Sequence, residues 1–64
     1  MVMEYTISVE TLDDGRQQIT VTWANGTKYT TTCIGTPDQA RWHAERAIVP
    51  DMRLRYPELR GEQI

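Results

Sequence analysis

The sequence predicts an α+β domain in which a three-stranded antiparallel meander packs against one C-terminal helix. Three runs of the chain alternate apolar and polar residues with a period of two, which is typical of strands with one buried face. One segment that follows them, residues 36–49, has apolar residues at helical spacing. We therefore expect the element order β-β-β-α within a single domain, residues 1–64, with a short helical or irregular tail after Pro50.

We expect strands at residues 3–10, 18–23 and 28–34. The first turn contains Gly15, which can adopt positive φ. The second turn contains Asn25-Gly26, which between two alternating runs favours a tight hairpin with a type I′ turn. The side chains that should face the helix are Tyr5, Ile7, Val9, Ile19, Val21, Trp23, Tyr29, Thr31 and Cys33.

The opposite face of the meander is hydroxyl-rich and mildly acidic. Such a face is typical of a solvent-exposed antiparallel sheet, and it also suits a flat docking surface. The sheet has two edges, one of which could pair with another copy or another protein. The predicted outer side chains are Glu4, Thr6, Ser8, Glu10, Gln18, Thr20, Thr22, Lys28, Thr30 and Thr32.

The predicted helix carries its own start signal. Thr36 is placed to cap the first turn, Pro37 suits the first helical position, and Gln39 completes a capping box. Pro50 should end or kink the helix because it cannot donate a backbone hydrogen bond. The core-facing stripe is expected to be Ala40, Ala44, Ala47 and Ile48.

Two apolar residues of the helix fall outside this stripe. At 100° per residue, Trp42 and Val49 lie about half a turn from Ala40, on a side that also carries Glu45. Three interpretations remain open: the C-terminal tail covers them, they form an interface with a partner, or Trp42 lies exposed on the surface. We predict that Trp42, Val49 and Glu45 bind a partner protein.

Composition limits the classes of protein. A 64-residue chain buries a small core, and Cys33 is its only cysteine, so neither a disulfide nor a Cys/His metal site is expected to stabilise it. Self-association would add to this core, and a homodimer could form through Trp42 and Val49 or through a sheet edge. The N-terminal residues show no signal peptide or membrane span, and the single cysteine favours a reducing compartment. We expect a cytoplasmic protein.

The sequence offers little material for catalysis. Cys33 at the end of an inward-facing strand is expected to be a small core residue, and His43 a residue at the boundary of the helix's buried stripe. Asp13-Asp14 is a pair of turn acids without a third oxygen ligand at loop spacing. We expect no enzymatic activity, no cofactor and no metal ion.

Two functions follow from these residues. The first is a non-catalytic protein-interaction module, an inhibitor or adaptor of the kind that phages and mobile elements encode. The alternative is a small nucleic-acid-binding domain built from a three-stranded sheet and a helix. Its basic residues would be Arg53, Arg55 and Arg60, with Lys28 and Arg16 assisting. The net charge of −2 gives no broad basic field for phosphates.

The order of three strands and a helix, with Gly35-Thr36 leading into an alanine-rich helix that carries Trp42, resembles in outline two families of DNA-binding domain, the plant AP2-type domains and the arm-type domains of phage integrases. The resemblance implies a sheet face that enters the major groove through arginines and aromatic residues. The corresponding face here carries threonine, serine, glutamine and glutamate, with Lys28 as its one basic residue.

Overall fold

A computed structural model describes residues 4–60 of the chain, and the side chains of residues 4–59. Three antiparallel strands are followed by one helical run, so the predicted β-β-β-α fold is confirmed. Met3, with which the first strand was predicted to begin, lies outside the described residues. The elements are β1 (Tyr5–Thr11), β2 (Gln17–Trp23), β3 (Lys28–Cys33), α1 (Pro37–His43), a π-helical turn (Ala44–Ile48), α2 (Val49–Arg55) and a 3₁₀ turn (Pro57–Arg60).

The sheet has the order β1-β2-β3, with β2 in the centre. Its register places Ile7 and Tyr29 on either side of Val21, so these inner residues form one row across the sheet. On the other face, Ser8 and Thr30 flank Thr20 in the same way. The predicted separation into an apolar inner face and a hydroxyl-rich outer face is confirmed.

Both hairpins close through the same geometry. In the second, the backbone N–H of Gly26 donates to the carbonyl of Trp23 at 2.9 Å, and that of Trp23 donates to Thr27 at 2.8 Å. Gly26 has φ of 92°, whereas Asn25 keeps negative φ. This is a three-residue loop that ends in a left-handed glycine, so the predicted type I′ turn is wrong. The Asn25 side chain accepts the N–H of Thr27, which favours this geometry.

The core lies between β2 and the helical run. The Trp23 indole N–H donates to the sulfur of Met52 at 3.4 Å, and the Tyr5 ring lies 5.1 Å from the Trp23 ring. The small side chains of Ala40 and Ala44 let the helix approach the sheet closely. The buried apolar residues are Ile19, Val21, Trp23, Ala40, Ala44, Ile48, Val49, Met52 and Leu59.

The helical register differs from the prediction after residue 44. Val49 is 1% exposed and belongs to the core, whereas Ala47 is exposed, so both predicted positions are wrong. The π-helical turn is the cause: the N–H of Val49 donates to the carbonyl of Ala44, five residues earlier. One extra residue in a turn rotates the residues that follow by about 100° around the helix axis. This rotation places Val49 on the side of the helix that faces the core.

Pro50 does not end the helix, which continues to Arg55 as the predicted helical tail. A proline inside a regular α-helix clashes with the carbonyl four residues earlier, here that of Arg46. The π-helical turn that contains Arg46 ends at Ile48, two residues before Pro50. The wider turn is therefore placed where the proline ring needs room.

The start of the helix is confirmed in detail. The Thr36 hydroxyl accepts the N–H of Gln39 at 3.1 Å, and the Gln39 side chain accepts the N–H of Thr36 at 3.0 Å. The sequence prediction missed Gln17, a buried polar residue on the inner face of β2. Its amide donates to the carbonyl of Gly35 at 3.2 Å and accepts the Thr11 hydroxyl at 2.9 Å. Gln17 therefore ties the loop before the helix to the sheet.

Substitution of Val49 tests the helical register. Val49→Ala is expected to lower the free energy of unfolding by roughly 2 kcal/mol, because it removes two buried methyl groups and leaves a small cavity. Leu54→Ala is the matched control, since Leu54 lies on the same helix at 73% exposure and should change stability by less than about 0.5 kcal/mol. Urea denaturation measures both. Equal effects would contradict the register.

Candidate functional site

The helix packs over β1 and β2 and leaves the inner side of β3 largely open. Tyr29 faces inward by register, as predicted, yet it remains 44% exposed. Thr31 and Cys33, the other inward residues of β3, are half-buried. We call this partly open region between β3 and the helix the cleft; it contains two depressions, one at each end.

One end of this cleft is the more apolar. Ile34, which follows β3, is 89% exposed, and Trp42 on α1 is 61% exposed. The guanidinium of Arg46 lies 5.5 Å from the centre of the Trp42 ring, at cation–π distance. We call this region the Trp42 surface; its residues are Cys33, Ile34, Asp38, Gln39, Trp42 and His43.

The other end of the cleft lies beside α2. Tyr29 and Tyr56, which is 48% exposed, are its large side chains. Asp51 and Arg55 form an ion pair at 3.1 Å along its rim. We call this region the Tyr56 surface; its residues are Tyr29, Ala47, Ile48, Asp51, Met52, Arg55 and Tyr56.

The structure does not bring the three predicted partner-binding residues together. Val49 is buried in the core beneath the helix. Glu45 is exposed on the side of the helix that faces β1, where it lies with Arg41 beside Ile7. Trp42 is exposed on the opposite side, towards β3. The predicted patch is therefore replaced by one in which Trp42 lies near Ile34.

Trp42 is exposed in the described part of the chain. The tail folds back on the core instead of over Trp42, because Leu59 is completely buried among the core residues. Of the three interpretations left open for Trp42, cover by the tail is therefore not what residues 4–60 show. Ile34 and Trp42 are large apolar residues that lie near each other in solvent. The sequence did not predict this arrangement, because the distance between the end of β3 and the helix depends on tertiary packing.

The basic residues of the nucleic-acid hypothesis are dispersed. Arg16 lies at the first hairpin, and Lys28 begins β3 at the other end of the sheet. Arg53 stacks over two aromatic rings at the edge of the core, and Arg55 is held by the ion pair on the helix. The side chain of Arg60 lies outside the described part of the chain. The described residues of this set form no common basic face.

Three residues with catalytic potential lie at the Trp42 surface, which the sequence prediction did not foresee. Cys33, His43 and Asp38 come together there because the end of β3 meets the first two turns of the helix. No hydrogen bond joins the Cys33 thiol to the imidazole, and no ion pair joins His43 to Asp38. Among residues 4–60, no three His, Cys, Asp or Glu side chains are grouped to hold a metal ion.

Of the two turn acids, Asp13 and Asp14, the second has a structural role. The Asp14 carboxylate accepts the backbone N–H of Arg16 at 3.1 Å and its guanidinium N–H at 2.6 Å. Both hydrogen bonds hold the pKa of Asp14 below its ordinary value, and the bond from the backbone N–H of Arg16 contributes most. Asp14 therefore supports the first hairpin in the way that Asn25 supports the second.

Comparison of the chain with models of known protein families, with curated proteins and with solved structures found no significant match. Within residues 4–60, no helix combines the length and apolar character that crossing a membrane requires.

The lowered pKa of Asp14 predicts a small dependence of stability on pH. A carboxyl group with a depressed pKa stabilises the fold above its unfolded pKa, and this contribution is lost as the pH falls through the folded pKa. Asp14→Asn should therefore lose less stability than the wild type on acidification below about pH 4. Asp13→Asn is the control, because it removes a neighbouring charge and keeps the Arg16 contact. Thermal unfolding between neutral and acidic pH tests this, and parallel profiles for wild type and Asp14→Asn would contradict it.

Proposed function

We propose that this chain is a non-catalytic protein-interaction module that binds a partner protein through the cleft beside β3. One observation carries the proposal. The described residues include five exposed large apolar side chains, and four of them line the cleft; the fifth is Leu54. The four are Tyr29, Ile34, Trp42 and Tyr56.

The composition of the cleft suits a protein interface. Aromatic side chains, tryptophan and tyrosine above all, supply most of the binding energy in such interfaces, and a polar rim excludes water from them. Trp42 lies next to Arg46, and Tyr56 lies next to the ion pair of Asp51 and Arg55. Each end of the cleft therefore has an aromatic anchor with charged groups beside it.

The polar groups of the Trp42 surface support binding in preference to catalysis. A nucleophilic cysteine needs a base within hydrogen-bonding reach, and no such bond joins Cys33 to His43. An inhibitor or adaptor needs only a persistent surface, which this fold supplies. Binding of nucleic acid through the dispersed arginines is the alternative, and no feature of the described residues favours it.

Substitution of Trp42 tests the proposal. Trp42→Glu places a charge on the apolar surface and should weaken partner binding by about thirtyfold or more, as loss of a central aromatic anchor does. The matched control is Leu54→Glu, which adds the same charge at an exposed apolar residue of the helix that lies outside the cleft. Affinity capture from extract of the source cells, compared across wild type and the two variants, measures binding.

The expected result is a set of captured proteins that the wild type and Leu54→Glu retain and Trp42→Glu loses. Circular dichroism of the three proteins should be the same, since Trp42 is exposed and outside the core. Capture that is equal for wild type and Trp42→Glu would contradict the proposed function, and so would equal loss with both variants.

A further inference from the structure

The free edge of β3 can be assigned from the hydrogen bonds of the second hairpin. The bond from Trp23 to Thr27 fixes which residues face β2, because bonded and non-bonded pairs alternate along an antiparallel ladder. Tyr29, Thr31 and Cys33 therefore direct their backbone groups towards β2. The backbone groups of Lys28, Thr30 and Thr32 point away from the sheet, along the edge that borders the cleft.

The two edges of the sheet differ in charge. β1 contains Glu10, and Glu4 directly precedes this strand, so this edge is acidic. β3 has one charged residue, Lys28 at its first position, and contains no proline, bulge or inward charge that would block pairing. β3 therefore has no feature that blocks pairing along its centre, and it is the edge beside the exposed apolar side chains of the cleft.

We propose that β3 pairs antiparallel with β3 of a second copy of this chain, forming a continuous six-stranded sheet with two-fold symmetry. The inference rests on the proposed function, because it identifies the occupant of the same cleft. Centring the pair on Thr31 places Thr30 opposite the partner's Thr32, so that their outward backbone groups bond. Lys28 then lies opposite the partner's Ile34, and no like charges face each other.

This pairing also matches the two ends of the cleft. The strands run in opposite directions, so the Trp42 surface of each copy comes beside the Tyr56 surface of the other. Ile34 and Trp42 are then placed near the partner's Tyr29 and the partner's Tyr56. A single symmetric contact therefore covers all four exposed side chains that line the cleft.

The size of the surface is sufficient. A specific interface removes at least roughly 600 Å² from each copy, which is about an eighth of the 4737 Å² that the chain exposes. A six-residue strand edge and four large exposed side chains can supply this area. The added burial would also support a small core, which has nine buried apolar residues among those that the structure describes.

A proline on the edge of β3 tests the pairing. Thr30→Pro removes an outward N–H that takes no part in the β2 ladder, so the monomer fold should persist while the dimer is lost. Thr11→Pro is the control at the other edge: the same alternation directs the N–H of Thr11 away from β2. It also removes the hydroxyl that donates to Gln17, so circular dichroism must first show that this variant is folded. Sedimentation equilibrium from about 10 µM to 1 mM protein should show a dimer for wild type and Thr11→Pro. For Thr30→Pro, the dissociation constant of the dimer should be at least about tenfold higher.

A second measurement on the unmodified chain keeps the test decisive if Thr30→Pro does not fold. In a mixture of isotope-labelled and unlabelled protein, an intermolecular NOE between the Hα atoms of Thr31 and the partner's Thr31 is expected, because a non-bonded pair brings the two Cα atoms to about 4.5 Å. A monomer at every concentration, a dimer without this NOE, or a dimer lost equally with Thr11→Pro overturns the pairing.

The outcomes for the two proposals are separable. A monomer that still captures other proteins in a Trp42-dependent manner overturns the pairing and leaves the proposed function standing. A dimer with the Thr31 contact that captures no other protein supports the pairing and overturns the binding of a different partner. A monomer whose capture is unchanged by Trp42→Glu overturns both.

Discussion

The position of the helix over β2 is the constraint on which the rest of this structure depends. Ala40 and Ala44 allow close approach at one end, and the contact between Met52 and Trp23 fixes the other. A regular α-helix would place Val49 away from the sheet. The π-helical turn returns it to the core, so that one helix buries apolar side chains along its whole length.

The same placement produces the candidate binding surface. A single helix cannot cover three strands, and here it covers β1 and β2. The uncovered inner side of β3 leaves Tyr29 partly in solvent, and the end of the strand leaves Ile34 fully outside the core. Neighbouring apolar side chains that do not contribute to the monomer core are the basis of the proposed binding surface. The cleft is therefore a consequence of the number of elements in the fold.

The sequence predicted the features that depend on local physics. Strict alternation identified all three strands and their inner faces, and the capping box of Thr36 and Gln39 located the start of the helix. These signals act over a few residues, so no tertiary information is needed. Gly26 was recognised as a turn residue, but its turn type was wrong because Asn25-Gly26 suits more than one hairpin geometry.

The candidate site was harder to predict because it depends on tertiary placement. The exposure of Val49 was wrong because Pro50 alone gave no indication that the bulge lies before it. Trp42 is exposed, which was one of the three interpretations that the sequence left open. Its neighbour is Ile34, and nothing in the sequence shows how far the end of β3 lies from the helix. Gln17 was missed since a glutamine within a strand does not indicate burial.

The π-helical turn also bears on how this helix accommodates insertions and deletions. Deletion of one exposed residue such as Ala47 would leave the buried positions at i, i+4, i+7, i+8 and i+11, the pattern of an uninterrupted amphipathic α-helix. Such a helix would then have Pro50 in its interior without the wider turn before it, at a cost of about 3 kcal/mol. The extra residue of the π-helical turn and Pro50 are therefore linked. A chain that lost the extra residue would also need another residue in place of Pro50.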